Sequence, residues 1–507
     1  MPTPPFISGS ILYDLVICPH RVTMDLFANP SERDAVSPFL RLLWERGTAR
    51  EKEVIAALTE PLLDLSANQP DEKERLTLAA MDRGEALIYG GRISSDDLIG
   101  EPDLLRKQEN GYVAGDIKSG AGEEGATEEH DGEPKLHYAV QLALYTDILE
   151  RLGRSHSRIP FVWDIHGSEV PYDLMAMRGK RNPHRLWDAY QDCLAQARKI
   201  VSGASKTLPA YSTGVCKNCV WYTSCLKSLE AANDLTLIPE LGRSKRDAMF
   251  DRIPSIRQLA AINPAEFIDG HKTAFLGIGS ATLAKMHERA KILASDDGKP
   301  CLTSPVSLPQ MDRELFFDIE VDPWRDGFCY LHGFVERQDG RNETERFVYF
   351  FADALTPDEE RRAFSEAWTY IQRSQPSALY FYSKYERTIY RNLADRYPEV
   401  CTRHQVDELF ACERSIDLYN DVVKKATEWP TRDYSIKTLA QYLGFKWKDS
   451  HPSGAASIEW FYRWTESRDP EIRKRILEYN EDDCRATRWL VDGIKAMRFR
   501  SHPLTEN

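Results

Sequence analysis

Residues 103–118 read Asp-Leu-Leu-Arg-Lys-Gln-Glu-Asn-Gly-Tyr-Val-Ala-Gly-Asp-Ile-Lys. Asn110-Gly111 is a strong two-residue turn signal, because both residues tolerate the positive φ that a tight hairpin needs. A loop from Gln108 to Gly111 pairs Lys107 with Tyr112, Leu105 with Ala114 and Asp103 with Asp116. Two carboxylates therefore meet across a hairpin. Period-two alternation puts Asp116 and Lys118 on one face and Val113, Gly115 and Ile117 on the other. Clustered carboxylates repel one another unless a cation sits between them. A lysine beside them can orient water or stabilise developing negative charge.

The flanking sequence adds to this first constellation. Tyr138 to Tyr145 reads as a helix in which Gln141 and Tyr145, four apart, share a face. Upstream, Arg46-Gly47-Thr48-Ala49-Arg50-Glu51 is expected to open a charged helix, with Glu51 a third carboxylate for a metal. The stretch Gly120 to Glu133 is rich in Gly and Glu without apolar periodicity, and reads as a mobile loop beside the site.

A second acidic constellation lies in the other half of the chain. In Leu315 to Val321, alternation buries Leu315, Phe317, Ile319 and Val321 and presents Asp318 and Glu320 together on the opposite face. Far downstream, a helix from Ile476 to Leu490 sets Tyr479 and Asp483 at i,i+4. Between them, Ala378 to Tyr382 reads as a buried strand, with Glu386 just past its end as a further acid. Two such clusters point to two sites for divalent metal, with phosphodiesters as the natural substrate.

The chain has 507 residues, 42% of them hydrophobic and 29% charged, which fits about three domains. No apolar run approaches the roughly 20 residues needed to span a bilayer. Met1 to Ser10 lacks the basic and apolar parts of a secretory leader, so the expected compartment is the cytoplasm with no membrane partner. The formal net charge of −13 disfavours a broadly basic nucleic-acid-binding surface, although one basic channel on an acidic body is enough. Short basic runs, Arg473-Lys474-Arg475 and Lys495 with Arg498 and Arg500, read as solvated faces.

Four of the ten cysteines are organised: Cys18, then Cys216, Cys219 and Cys225. Thiolates at such spacing suit structural zinc or an iron–sulfur cluster. Between the two halves, Leu276-Gly277-Ile278-Gly279-Ser280 precedes an amphipathic stretch from Ala281 to Leu293. Glycines at Gly277 and Gly279 would let a phosphate approach backbone amides at a helix start. This pattern resembles a helix-hairpin-helix, with an imperfect first copy at Ile238 to Gly242. A polar linker is expected from Ser295 to Pro309.

Residues 1–230 resemble the PD-(D/E)XK nucleases of the RecB family, on Asp103, Asp116-Ile117-Lys118 and Gln141/Tyr145 in that family's order. Glu51 stands where many relatives carry a histidine. Residues 310–507 resemble DEDD exonucleases of the DEDDy branch, on Asp318/Glu320 and Tyr479-x3-Asp483, with Glu386 where aspartate is usual. Ile416-Asp417-Leu418 and Ser435 to Ala440 resemble further elements of that branch. The whole chain is similar to bacterial RecB-like nucleases with a fused RNase H-like domain. That resemblance implies an α/β protein: a restriction-endonuclease-like domain (1–230), a helix-hairpin-helix middle (234–296) and a mixed-sheet RNase H-like domain (310–507).

The same likeness implies catalytic roles for Asp103, Asp116, Lys118, Gln141, Tyr145, Asp318, Glu320, Glu386, Tyr479 and Asp483. Mg²⁺ or Mn²⁺ would be held by Glu51, Asp103, Asp116, Asp318, Glu320 and Asp483. Asp483 would complete the second cage, and Tyr479 would position the attacking water. A [4Fe-4S] cluster on Cys18, Cys216, Cys219 and Cys225 would staple the N-terminal segment to the end of the first domain. The substrate would be DNA, with RNA the nearest alternative. No Gly-x4-Gly-Lys-Ser/Thr loop occurs, so a helicase or ATPase motor would be a separate partner. The rivals from other classes are a nucleic-acid-binding adaptor and a redox sensor acting through the cysteines.

Overall fold

The computed structural model describes residues 5–125, 132–179, 183–295, 298–449 and 453–499. Two compact units divide the chain between Ser228 and Leu229. The centre of the expected Gly/Glu-rich loop, 126–131, lies outside the described residues.

The first unit is built on a six-stranded sheet in simple sequential order. Its strands are β1 (Leu63–Asp64), β2 (Leu87–Tyr89), β3 (Leu104–Gln108), β4 (Gly111–Ile117), β5 (Phe161–Trp163) and β6 (Glu169–Pro171). The central pair, β3 and β4, is antiparallel, with Lys107 opposite Tyr112 and Leu105 opposite Ala114. Strand β5 then runs parallel to β4, which needs a crossover, and helix α4 (Leu136–Arg151) supplies it.

That helix is buried nearly all round: ten of its 16 residues, among them Ala139, Leu142, Leu144 and Ile148, are in the core. A helix apolar on every side belongs inside a domain. Its half-buried Gln141 is thus an exception that needs a reason. Helices α1 (Gly9–Ile17) and α2 (Pro19–Phe27) meet at Cys18, which ends one and begins the other. Helix α3 spans Pro38–Ala57, so Arg46 to Glu51 lies in its middle and does not open it. Pro38 at the first turn and the Ser37 side chain on the Leu40 amide start the helix about two turns before the charged run.

The second unit holds a five-stranded mixed sheet in the order β9-β8-β7-β10-β11. These strands are β7 (Arg313–Asp322), β8 (Phe328–Gln338), β9 (Arg341–Phe351), β10 (Ala378–Phe381) and β11 (Ser415–Asp417). β7 to β9 form an antiparallel meander, and β10 and β11 add in parallel to the other side of β7. Strand β7 is buried on both faces. Leu315, Phe317 and Ile319 join one core, and Phe316 joins another. The C-terminal helix α6 (Pro470–Lys495) contributes Cys484, Leu490, Val491 and Ile494 to the second core. Asp469 caps it by accepting from the Glu471 amide, and Pro470 fixes its first turn, so it starts before the expected Ile476.

The helical segment that precedes this sheet belongs to the same unit. Helix α5 (Ser280–Ala294) carries Arg289, whose Nε donates to Glu428 at 2.8 Å. The expected linker contains a short strand, Cys301–Leu302, paired with Thr427–Glu428. Gly279 precedes α5 and Gly277 has φ +74°, but the Ser280 amide already donates to His271 O at 3.2 Å.

Candidate active sites

The first site gathers at the open end of the β3/β4 hairpin. The Ile117 amide donates to Asp103 Oδ2 at 2.7 Å, and the Asp103 amide lies 3.4 Å from Asp116 Oδ1. Each aspartate side chain is therefore held by a backbone amide from across the hairpin, Asp103 by Ile117 and Asp116 by Asp103. Lys118 Nζ stands 2.9 Å from Asp116 Oδ2, yet that buried oxygen has no donor at hydrogen-bond angles. Burial and the nearby Asp116 raise the Asp103 carboxyl well above its ordinary range. Burial alone would lower the Lys118 ammonium, but Asp116 and Asp103 outweigh it and hold the value above that of a free lysine.

Gln141 now has its reason. Lys118 Nζ donates to Gln141 Oε1 at 3.0 Å, and Gln141 Nε2 donates to the Tyr145 hydroxyl at 2.9 Å. The glutamine amide relays from the lysine to the tyrosine across one helical turn. Room for Tyr145 depends on Gly100, where a Cβ would lie 2.6 Å from the ring. Glu51 is held differently from Asp103 and Asp116, since its Oε1 accepts from the Tyr89 hydroxyl at 2.8 Å. It still acts on Asp103 electrostatically, as a smaller contributor to that raised pKa. Among the described residues, Glu51, Asp103 and Asp116 do not close into a group with all ligand atoms within 4.8 Å. Tyr89 holds one oxygen of the carboxylate that the sequence assigned to metal.

The second site does close. Asp318, Glu320 and Asp483 offer oxygens within 4.8 Å of one another, with Glu320 and Asp483 buried and Asp318 half-buried. Burial, then repulsion from Asp483, pushes the Glu320 carboxyl up to about 8; the same causes hold Asp318 well above its ordinary value. Three acids so placed fit a divalent cation, which would relieve the repulsion that burial amplifies. Glu386 is buried outside this trio but close enough to raise Asp318, and its own carboxyl is pushed up to about 8 by burial. Ser383, at φ 127°, holds a strained turn and lies 3.5 Å from Glu386.

Several residues here carry roles that the sequence reading left unassigned. Lys437 Nζ donates to the Tyr479 hydroxyl at 2.8 Å, and Trp447 Nε1 donates to Asp483 Oδ1 at 2.7 Å. Asn480 Nδ2 donates to Asp318 Oδ2 at 2.7 Å and lies 3.5 Å from Glu320 Oε1. The signal for Asn480 was its i,i+3 spacing to Asp483 on the same helix.

The organised cysteines are drawn toward one region of the first unit. Trp221, between Cys219 and Cys225, donates its indole N–H to Asp25 of α2 at 2.9 Å, and the Asp34 amide donates to Val220 O. Burial raises the Cys219 thiol, with Cys18 a smaller electrostatic cause. Four thiolates around one zinc stand roughly 3.8 Å apart. Among the described residues no three cysteine sulfurs lie within 4.8 Å of one another.

Comparison with known families places a nuclease-type superfamily on each half of the chain. Residues 20–226 match the PD-(D/E)XK nuclease superfamily, and residues 315–494 match the RNase H superfamily. No curated protein matches the chain. It carries a PD-(D/E)XK nuclease domain followed by an RNase H-like domain in a mixed α/β fold. Two nuclease-superfamily domains in one polypeptide support a metal-dependent nuclease. Among the described residues no helix is long and apolar enough to cross a membrane.

Proposed function

We propose that this chain is a Mg²⁺- or Mn²⁺-dependent exonuclease that processes DNA ends or single strands in repair or defence, with two separate active sites. The closed Asp318/Glu320/Asp483 group carries this reading, because only a cation makes such a buried trio of like charges useful. A divalent ion there supplies an activated water and charge stabilisation. Around it, Tyr479 orients the attacking water, with its own hydroxyl held by Lys437. Asn480 keeps Asp318 and Glu320 in register, and Trp447 fixes the rotamer of Asp483. Following the DEDDy relatives, this site is expected to cut 3′→5′.

At the first site Asp103 and Asp116 would hold the ion, joined by Glu51 if it leaves Tyr89. Lys118 sits where it can neutralise charge building on a scissile phosphate, and Gln141 and Tyr145 aim it. The engagement of Glu51 by Tyr89 favours a second reading for this half alone, a site that binds without cutting. The one-plus-three order of Cys18, Cys216, Cys219 and Cys225 along the chain is the ground for proposing a [4Fe-4S] cluster there. Gly277 and Gly279 are proposed to meet the nucleic-acid backbone, the protein is proposed to be cytoplasmic, and any helicase would be a separate chain.

The test is cleavage of end-labelled single- and double-stranded DNA and RNA with Mn²⁺, by wild type, Lys118→Ala, Asp318→Ala and the double variant. Loss of a different product ladder in each single variant supports two working sites. Cleavage of RNA alone, or binding without cleavage, overturns the DNA exonuclease reading.

A further inference from the structure

Helix α3 runs from the core of the first unit to an exposed aromatic residue. Its C-terminal half is anchored: Val54, Ile55 and Leu58 pack on Leu87, Leu104, Val113 and Phe161. Glu51 accepts from Tyr89, and Arg50 Nη2 reaches Asp164 O at 3.3 Å. Residues three, four and seven apart share a helix face, so Ile55, Glu51, Gly47 and Trp44 form one stripe. That stripe starts in the core at Ile55, passes the candidate metal ligand Glu51, and ends at Trp44, 57% exposed.

Seven helical residues place the Trp44 backbone about 10.5 Å from that of Glu51, rotated by only about 20°. Between them stands Gly47, where a Cβ would meet nothing within 4 Å. The surface from the indole to the acid is therefore open. A large aromatic side chain left in water forgoes about 1.5–3 kcal/mol of burial, which stacking against an unpaired base beside the site would recover. On the same face Arg41, three residues before Trp44, is exposed and offers a positive charge to a phosphate backbone.

We infer that Trp44 is a stacking platform for an unpaired nucleobase of the strand that enters the first site. This rests on the nuclease reading above and extends it to a substrate class, single-stranded nucleic acid or a frayed end. A paired base within a duplex cannot offer its face to an indole, whereas any unpaired base can, without regard to sequence. DNA and RNA present the same face, so the chemistry is shared and the test separates them.

The experiment measures binding of fluorescein-labelled dT12, rU12, a 12-base-pair duplex and an abasic 12-mer, in Ca²⁺. The proteins are Lys118→Ala and its Trp44→Ala and Trp44→Phe derivatives. Wild type and the Trp44→Ala single variant are assayed for cleavage in parallel. Trp44→Ala is expected to weaken dT12 or rU12 binding roughly tenfold or more, with Trp44→Phe recovering most of it. Duplex and abasic strands should bind both proteins alike. Equal dT12 and rU12 affinity with and without the indole, while wild type still shows Lys118-dependent cleavage, overturns the platform alone. No binding and no cleavage by any protein overturns the nuclease reading and the platform together. A change only in self-association on removing Trp44 makes the face a contact between copies of the chain, and the platform falls.

Discussion

Gly333 and Asn480 are complementary shapes: a Cβ on residue 333 would lie 1.6 Å from Asn480 Oδ1. Gly333 is the cross-strand partner of Asp318, and the space left by its missing side chain is where the asparagine sits while it bonds Asp318 and Glu320. Gly333→Ala should therefore drive Asn480 out and let the two carboxylates splay. Overpacking of this kind costs about 1–3 kcal/mol of stability. Second-site cleavage should fall by about two orders of magnitude, as when a preorganised group is lost. Cleavage removed by Lys118→Ala should be untouched, which makes it the internal control. Full second-site activity in Gly333→Ala protein would show that Asn480 has no positioning role.

The cage should make metal a stabilising ligand of one unit. Saturation at about 100 times Kd adds roughly 2.7 kcal/mol, so Mn²⁺ should raise the melting transition of the second unit. Asp483→Ala should abolish that rise. Without metal, Asp318→Asn is expected to melt higher than wild type, by roughly 0.5–2 kcal/mol, because one of three mutually repelling acids is removed. Differential scanning calorimetry with EDTA and then Mn²⁺ reads both effects. An Asp318→Asn protein that melts lower in EDTA would mean the trio is stabilised some other way.

What the sequence made legible was what repeats locally. The expected hairpin register holds, although the two loop residues are Glu109 and Asn110, with Gly111 paired to Gln108 and alone of the Asn-Gly pair at positive φ. Alternation in Leu315 to Val321 separates Leu315, Phe317 and Ile319 from the acids, and i,i+4 spacing pairs Gln141 with Tyr145 and Tyr479 with Asp483. What it hid was tertiary pairing. Nothing near Glu51 announces that Tyr89, 38 positions away, takes its carboxylate, and nothing near Trp447 shows that its indole reaches Asp483. The start of α3 was misplaced because Pro38 and Ser37 outweigh the charged run as helix signals. Gly333 did carry a readable cue, since glycine inside a strand marks a close approach.

Arg289 ties the helical segment to the sheet unit that follows it. It is fully buried, donates to Glu428 at 2.8 Å, Glu240 at 3.0 Å and Pro239 O at 2.7 Å, and lies over the Tyr434 ring. Arg289→Met strands the Glu428 carboxylate and should cost about 3–5 kcal/mol in a denaturant melt. Arg289→Met with Glu428→Gln should recover a good part, because no buried charge is left alone. A double variant no better than the single would mean that packing, not charge, is what Arg289 supplies.

His332 gives the second unit a pH dependence whose sign follows from burial. Its ring is fully buried among Phe364, Tyr390 and Cys329, with Nδ1 3.1 Å from the Tyr390 hydroxyl and Nε2 without a partner. Burial lowers its pKa to about 3, against about 6.5 in the unfolded chain. Between those values the unfolded state holds a proton that the folded state refuses. The stability from a neutral His332 is thus full above about pH 6.5 and is lost as pH falls toward 3. The loss is at most about 1.4 kcal/mol per pH unit. His332→Leu should flatten the decline in stability between pH 6.5 and 4.5 by up to one proton's worth of slope. Urea melts of wild type and variant at half-unit steps measure it, and parallel slopes would mean that His332 takes its proton without unfolding.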